Sequence, residues 1–172
     1  MKLSIIHSLI FFSVFFWAAT AISHPHILRT QDKTEVSRDS FLKDLRQAQV
    51  IFIGELHDHF GHHEAQLAVI DALDNDPDVP LAIGLEMFQG NNQHILDRWV
   101  NNELPLGRFL VHYRENWGMW PQYQDIFLHA HKNRVKMIGL NVPRQISNQV
   151  ATEGFQKLPE DIRKILGDVQ CV

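Results

Sequence analysis

Three short apolar runs, each closing on a polar residue, constrain this chain more than any other feature. Val50-Ile51-Phe52-Ile53 runs into Gly54-Glu55, Leu81-Ala82-Ile83-Gly84-Leu85 into Glu86, and Val135-Lys136-Met137-Ile138-Gly139-Leu140 into Asn141. The first run is continuous, apolar and mostly β-branched, which is how a strand buried on both faces reads, and the other two repeat the pattern. Apolar residues at helical spacing flank them and predict helices over residues 39–47, 62–75, 92–101, 105–111, 121–133, from Pro143 to residue 153, and 159–166. Asn141 is the expected cap of the helix that opens at Pro143. Strands alternating with helices predict an α/β fold with a parallel sheet and right-handed crossovers.

In open α/β sheets ligands bind beyond the carboxyl ends of the strands. That rim is polar here: Glu55 and His57 follow the first strand, Glu86 the second, and Asn141 and Arg144 the third. Glu55 and His57 are two apart, so in extended backbone they face the same side. Two carboxylates and an imidazole suit a divalent metal with open positions. The competing expectation is that Glu86 pairs with Arg144 while His57 caps a helix. Arg144, in a first helical turn, suits an anionic ligand group, or equally an ion pair with Glu86 or Glu55. His59, His62 and His63 crowd the same loop; His62 reads as solvated, and His63 stays open as a ligand.

Tyr113, Trp117, Trp120 and Tyr123 form an aromatic stretch fit for a flat apolar ligand such as haem, for which tyrosine is an established axial ligand type. Tyr123 also shares a helical stripe with Ile126, Phe127 and Ala130, which is how core reads. The sequence carries no nucleophile elbow, phosphate loop or dinucleotide fingerprint.

Lys2, the apolar stretch 3–17 and the small residues Ala18-Ala19-Thr20-Ala21 predict a signal peptide over residues 1–21. A membrane anchor is the alternative, but the apolar run is shorter than a spanning helix needs. No lipobox cysteine follows it, so the expected location is periplasmic or secreted. Polar residues 22–37 read as a flexible leader with little fixed structure, and 38–172 as the folded domain. Cys171 is the only cysteine, so no internal disulfide supports the fold. A net charge of −4 without a basic stripe or tail argues against nucleic acid as a partner.

Four motifs stand in register: Val50-Ile-Phe-Ile-Gly-Glu-Leu-His-Asp-His, Gly61-His-His-Glu-Ala-Gln-Leu, Gly84-Leu-Glu-Met-Phe-Gln with Leu96-Asp-Arg, and Leu140-Asn-Val-Pro-Arg. Together, over residues 38–167, the chain resembles the ChaN-like family of haem-binding uptake proteins. That family is similar in fold to the Tiki and TraB metalloproteases and to erythromycin esterase. The resemblance implies export, a role in iron or haem acquisition, and haem bound through a tyrosine, with a homodimer and the outer-membrane uptake machinery as partners. Tyr123 is the preferred ligand, with Tyr113, His63 and Arg144 the other candidate haem-binding residues. The resemblance also places Glu55, His57 and Glu86 at the superfamily's metal positions. It points to a binding protein for haem or an iron complex rather than an enzyme. The alternatives are a metal-dependent hydrolase of the Tiki or esterase type, or an inactive remnant. Family members continue into a second half with another Gly-x-x-His turn, so a chain ending at Val172 is expected to be truncated.

Overall fold

The computed structural model describes residues 26–167. The predicted signal peptide, residues 1–21, and the terminal stretch with Cys171 lie outside the described residues. The chain divides into two compact units between Ser37 and Arg38. In the first, β1 (Ile27–Arg29) and β2 (Thr34–Val36) pair antiparallel, with Ile27 opposite Val36. Over the described part of residues 22–37, this corrects the expectation of little fixed structure. The turn is held by Asp32, whose Oδ1 accepts from the backbone N–H of Thr34 at 3.1 Å and from its hydroxyl at 2.7 Å, while Lys33 takes a left-handed φ of 58°. Asp hydrogen-bonding backbone two residues on is a recurrent turn device.

The second unit is α/β. Its elements run α1 (Arg38–Arg46), α2 (Phe60–Asp74), β3 (Ala82–Gln89), α3 (Gln93–Val100), α4 (Leu106–Asn116), α5 (Trp120–Asn133), β4 (Lys136–Asn141), α6 (Arg144–Glu153) and α7 (Glu160–Leu166). β3 and β4 pair parallel, Ala82 against Lys136 through Leu85 against Gly139, with the register shifting before Gln89 meets Asn141. Pro143, not Asn141, precedes the first turn of α6.

Two sheet expectations need correction. Residues 50–53 make no ladder among the described residues, so the described parallel sheet has two strands rather than three. A strand exists through its neighbour's hydrogen bonds, which β-branched composition cannot supply. Nor is β3 buried on both faces: Ile83, Leu85 and Phe88 are buried while Ala82, Gly84 and Glu86 are exposed.

The buried face carries the core. Helix α3 contributes Ile95, Leu96, Trp99 and Val100, and α5 contributes Tyr123, Ile126, Phe127 and Ala130, each a stripe at helical spacing. Trp99 stacks on Phe109 at 4.2 Å and donates its indole N–H to the Phe127 carbonyl at 3.0 Å. Phe88 packs among Phe109, Tyr113 and Phe127. Burying a phenylalanine of this kind contributes roughly 1.5–3 kcal/mol. Pro121 sits in the first turn of α5, where a missing N–H costs nothing, and left-handed Arg134 closes its end. Helix α5 is tied to α2 through His129 Nε2, 2.9 Å from Asp74 Oδ2, an oxygen that also accepts from Asn133 at 2.7 Å. The Gln93 amide ties α3 to β4, donating to the Met137 carbonyl at 2.8 Å and accepting from the Gly139 N–H at 3.0 Å.

Candidate functional site

The packing of α2 beside α5 sets the site. Tyr123 opens the buried stripe of α5, so its ring is core while its hydroxyl reaches the loop before α2. That loop carries Glu55 and His57, and the first turns of α2 carry His63 and Gln66.

These side chains converge on the Glu55 carboxylate. The Tyr123 hydroxyl donates to Glu55 Oε1. His57 Nδ1 lies 2.8 Å from the same oxygen and 3.1 Å from the Tyr123 oxygen. A carboxylate only accepts, so this contact places a ring proton on Nδ1. His63 Nε2–H donates to the His57 carbonyl at 3.0 Å. Its Nδ1 lies 2.9 Å from Glu55 Oε2 and 3.2 Å from Gln66 Oε1. The first of these is an electrostatic contact rather than an aligned hydrogen bond, because Oε2 has no hydrogen-bond partner of its own. Trp117 meets His57 edge-on at 5.1 Å, and His63 meets Tyr123 at 4.3 Å.

Burial raises the Glu55 pKa, but the bonds from Tyr123 and His57, the nearby His63 and Gln66 outweigh it and hold the carboxyl below its ordinary value. Burial pushes the Tyr123 phenol well up, and its bond to Glu55 and the charge of that carboxylate push it further. The phenol is thus a donor and stays protonated. The His57 side chain is 48% exposed, whereas Tyr123 is 2% exposed.

The other predicted residues fall elsewhere. Tyr113 is core: its hydroxyl donates to the Gly118 carbonyl at 2.8 Å, its ring packs on Trp120 and Phe127, and burial raises its pKa. Arg144 opens α6, exposed, with its backbone N–H donating to Gln89 Oε1 at 3.2 Å. Neither Glu86 nor Glu55 pairs with its guanidinium among the described residues. The divalent-metal set expected at Glu55, His57 and Glu86 is not assembled. Strand alternation turns Glu86 to the exposed face of β3, Glu55 is committed to Tyr123 and His57, and no three metal-ligating side chains are placed to hold an ion among the described residues. His62 is not merely solvated: its Nδ1 accepts from the Leu56 N–H at 2.9 Å, closing the loop. Gln66 and the Trp117–His57 contact were not anticipated, although Gln66 stands at i+3 from His63 on α2.

Exposed apolar and polar side chains flank His57 in the chain, Asp58 and His59 among the polar ones. Its chain neighbours Leu56 and Phe60 are exposed, as are Phe52 and, beyond Trp117, Met119. A groove of about 620 Å³ between α2 and α5 is lined by Phe60, Leu67, Asp71, Leu128, His129 and Lys132 among others and does not include His57.

A family model described as haem-binding uptake, Tiki superfamily, ChaN, matches residues 41–168. A solved structure of ChaN of Campylobacter jejuni, reported for cofacial haem binding, superposes with a TM-score of 0.64 at 23% identity, covering 82% of this chain and 60% of that one. That likeness establishes the fold. The curated protein RETICULATA-RELATED 5, chloroplastic, of Arabidopsis thaliana is 23% identical over 129 residues, 70% of this chain and 17% of its own length. The chain therefore spans 60% of the solved relative and 17% of the curated one.

Proposed function

The chain belongs to the haem-binding uptake family of ChaN type within the Tiki superfamily, and from that premise we propose that it binds haem on the surface around His57, as an exported protein that serves haem or iron uptake. The observation that carries this reading is a half-exposed imidazole, held by Glu55 and Trp117, beside exposed Leu56 and Phe60. A flat macrocycle needs apolar cover and one donor atom for its iron, and this surface supplies both kinds of group. Haem, when bound, would bring an iron that takes a donor atom from the protein. His57 and the phenol behind it are the donor types within reach, while Leu56, Phe60 and Trp117 would shield the ring from water. The signal-like composition of residues 1–21 supports export. A homodimer is consistent with the apolar surface left open around residues 50–60.

Haemin titration tests the reading. A shifted Soret band that saturates at a fixed haemin-to-chain ratio is expected. A free-haemin spectrum throughout the titration would contradict it.

A further inference from the structure

We propose that the groove between α2 and α5 is a docking site for a cationic amphipathic helix of another protein. The inference goes beyond the haem reading and does not depend on it.

The two helices run side by side in one direction. His63 meets Tyr123 at 4.3 Å near their starts, and Asp74 meets His129 at 2.9 Å near their ends. Ile70 and Leu73 of α2 and Ile126 and Phe127 of α5 are buried in the core. Helix α2 nevertheless carries apolar residues on a second face: Phe60, Leu67 and Ala68 line the groove, with Leu128 of α5 on its other wall. Phe60 is 53% exposed and Leu128 38%. A surface helix ordinarily keeps one apolar stripe and turns polar residues to water. The second stripe of α2 is thus an apolar face without cover. Its lining residues run from Phe60 to Asp71, roughly three turns or about 16 Å. A trough of that length between two packed helices receives the side-chain ridge of a third, which anchors through residues at i, i+3, i+4 and i+7.

Charge selects the partner. The carboxylates of Glu64 and Asp71 on α2 and of Asp125 on α5 line the groove, and Lys132 is the only lysine or arginine that does so among the described residues. Glu64 and Asp125 make no ion pair among the described residues, and the Asp71 carboxylate meets only His129 Nδ1, 3.9 Å away. His129 is itself held through Nε2 by Asp74. Carboxylates on both walls of an apolar trough favour a helix whose apolar stripe is flanked by lysine or arginine, and oppose one with acidic flanks.

The probe is a fluorescein-labelled peptide of about four helical turns, with leucines along one face and lysines on the others. It is added to the full chain without haemin and followed by fluorescence anisotropy. Saturable binding in the micromolar range is expected, with the peptide gaining helix by circular dichroism. The same residues in scrambled order, or glutamates in place of the lysines, should weaken binding at least about tenfold. Leu128→Ser should weaken the lysine peptide about tenfold, and the pair Glu64→Lys and Asp125→Lys by a similar factor. All three side chains are exposed, and circular dichroism checks that each variant folds. Equal binding of the scrambled peptide, or unchanged affinity in the groove variants, would place the contact elsewhere and overturn the proposal. If submicellar dodecyltrimethylammonium binds in a manner sensitive to Leu128→Ser while the peptide does not bind, the groove takes a small cationic amphiphile and the proposal falls. It falls equally if the peptide fails to bind and Leu128→Ser turns a self-associated chain into a monomer, since a second copy then fills the groove.

Discussion

At the scale of single residues, Glu55 Oε1 takes two donors, and the consequences run through pH. The folded Glu55 pKa lies below its ordinary 4.5, so the carboxylate stabilises the fold fully above that pH and loses its contribution as the pH falls below it. The two tyrosines are shifted the other way. Their contribution is fully present below the ordinary phenol pKa of 10.0 and is lost as the pH rises beyond it. Denaturant melts should therefore show the penalty of Glu55→Gln largest near neutral pH and shrinking in acid below 4.5. A penalty that stays constant into acid would mean that the carboxylate is not what the network holds. Little of this network was legible in sequence. Glu55 and His57 announce themselves as a strand-end pair, but Tyr123 stands 68 residues from Glu55, and no local pattern links them. The helical stripe it shares with Ile126, Phe127 and Ala130 marked Tyr123 equally well as core, and it proves to be both: a buried ring with a hydroxyl at the site.

At the scale of elements, α2, α3, α4 and α5 were legible because each shows its buried stripe in the sequence, while α6 and α7 bury no residue. Residues 50–53 were misread because an apolar, β-branched run states what a stretch prefers and not which backbone will pair with it. The β1–β2 hairpin was missed because its strands are three residues long and mostly exposed, with its turn written in Asp32 and Lys33 rather than in glycine. The β3–β4 contact makes its own prediction. At Gly139 an added Cβ would meet the Gln89 carbonyl oxygen at 2.8 Å and the Phe88 oxygen at 3.0 Å, all backbone held by the shifted register. At Gly84 it would meet the tip of Leu140 at 2.7 Å, a flexible and exposed side chain that can swing away. Gly139→Ala should cost about 1–3 kcal/mol by overpacking and Gly84→Ala clearly less. Thermal melts reporting the reverse order would show that β3 and β4 do not approach as described.

At the scale of the whole molecule, several large apolar side chains stand exposed among the described residues. Phe52 is 91% exposed, Val50 68%, and Leu140 and Leu56 are open too. Exposed apolar side chains of this size favour association. Light scattering should find the chain self-associated, and Phe52→Asp should shift it toward monomer without lowering its Tm, since the side chain has little packing to lose. A wild-type chain that runs as a clean monomer would refute this.

The claim on which the rest depends is that haem covers His57. Histidine modification by diethyl pyrocarbonate, mapped by mass spectrometry with and without haemin, measures that cover directly. His57, half exposed when free, should be modified readily in the free chain and protected at saturating haemin, while His26, 75% exposed at its side chain, serves as the unprotected reference. Equal modification of His57 in both states, under conditions where the Soret band shows haemin bound, would place haem elsewhere on the molecule and contradict the account.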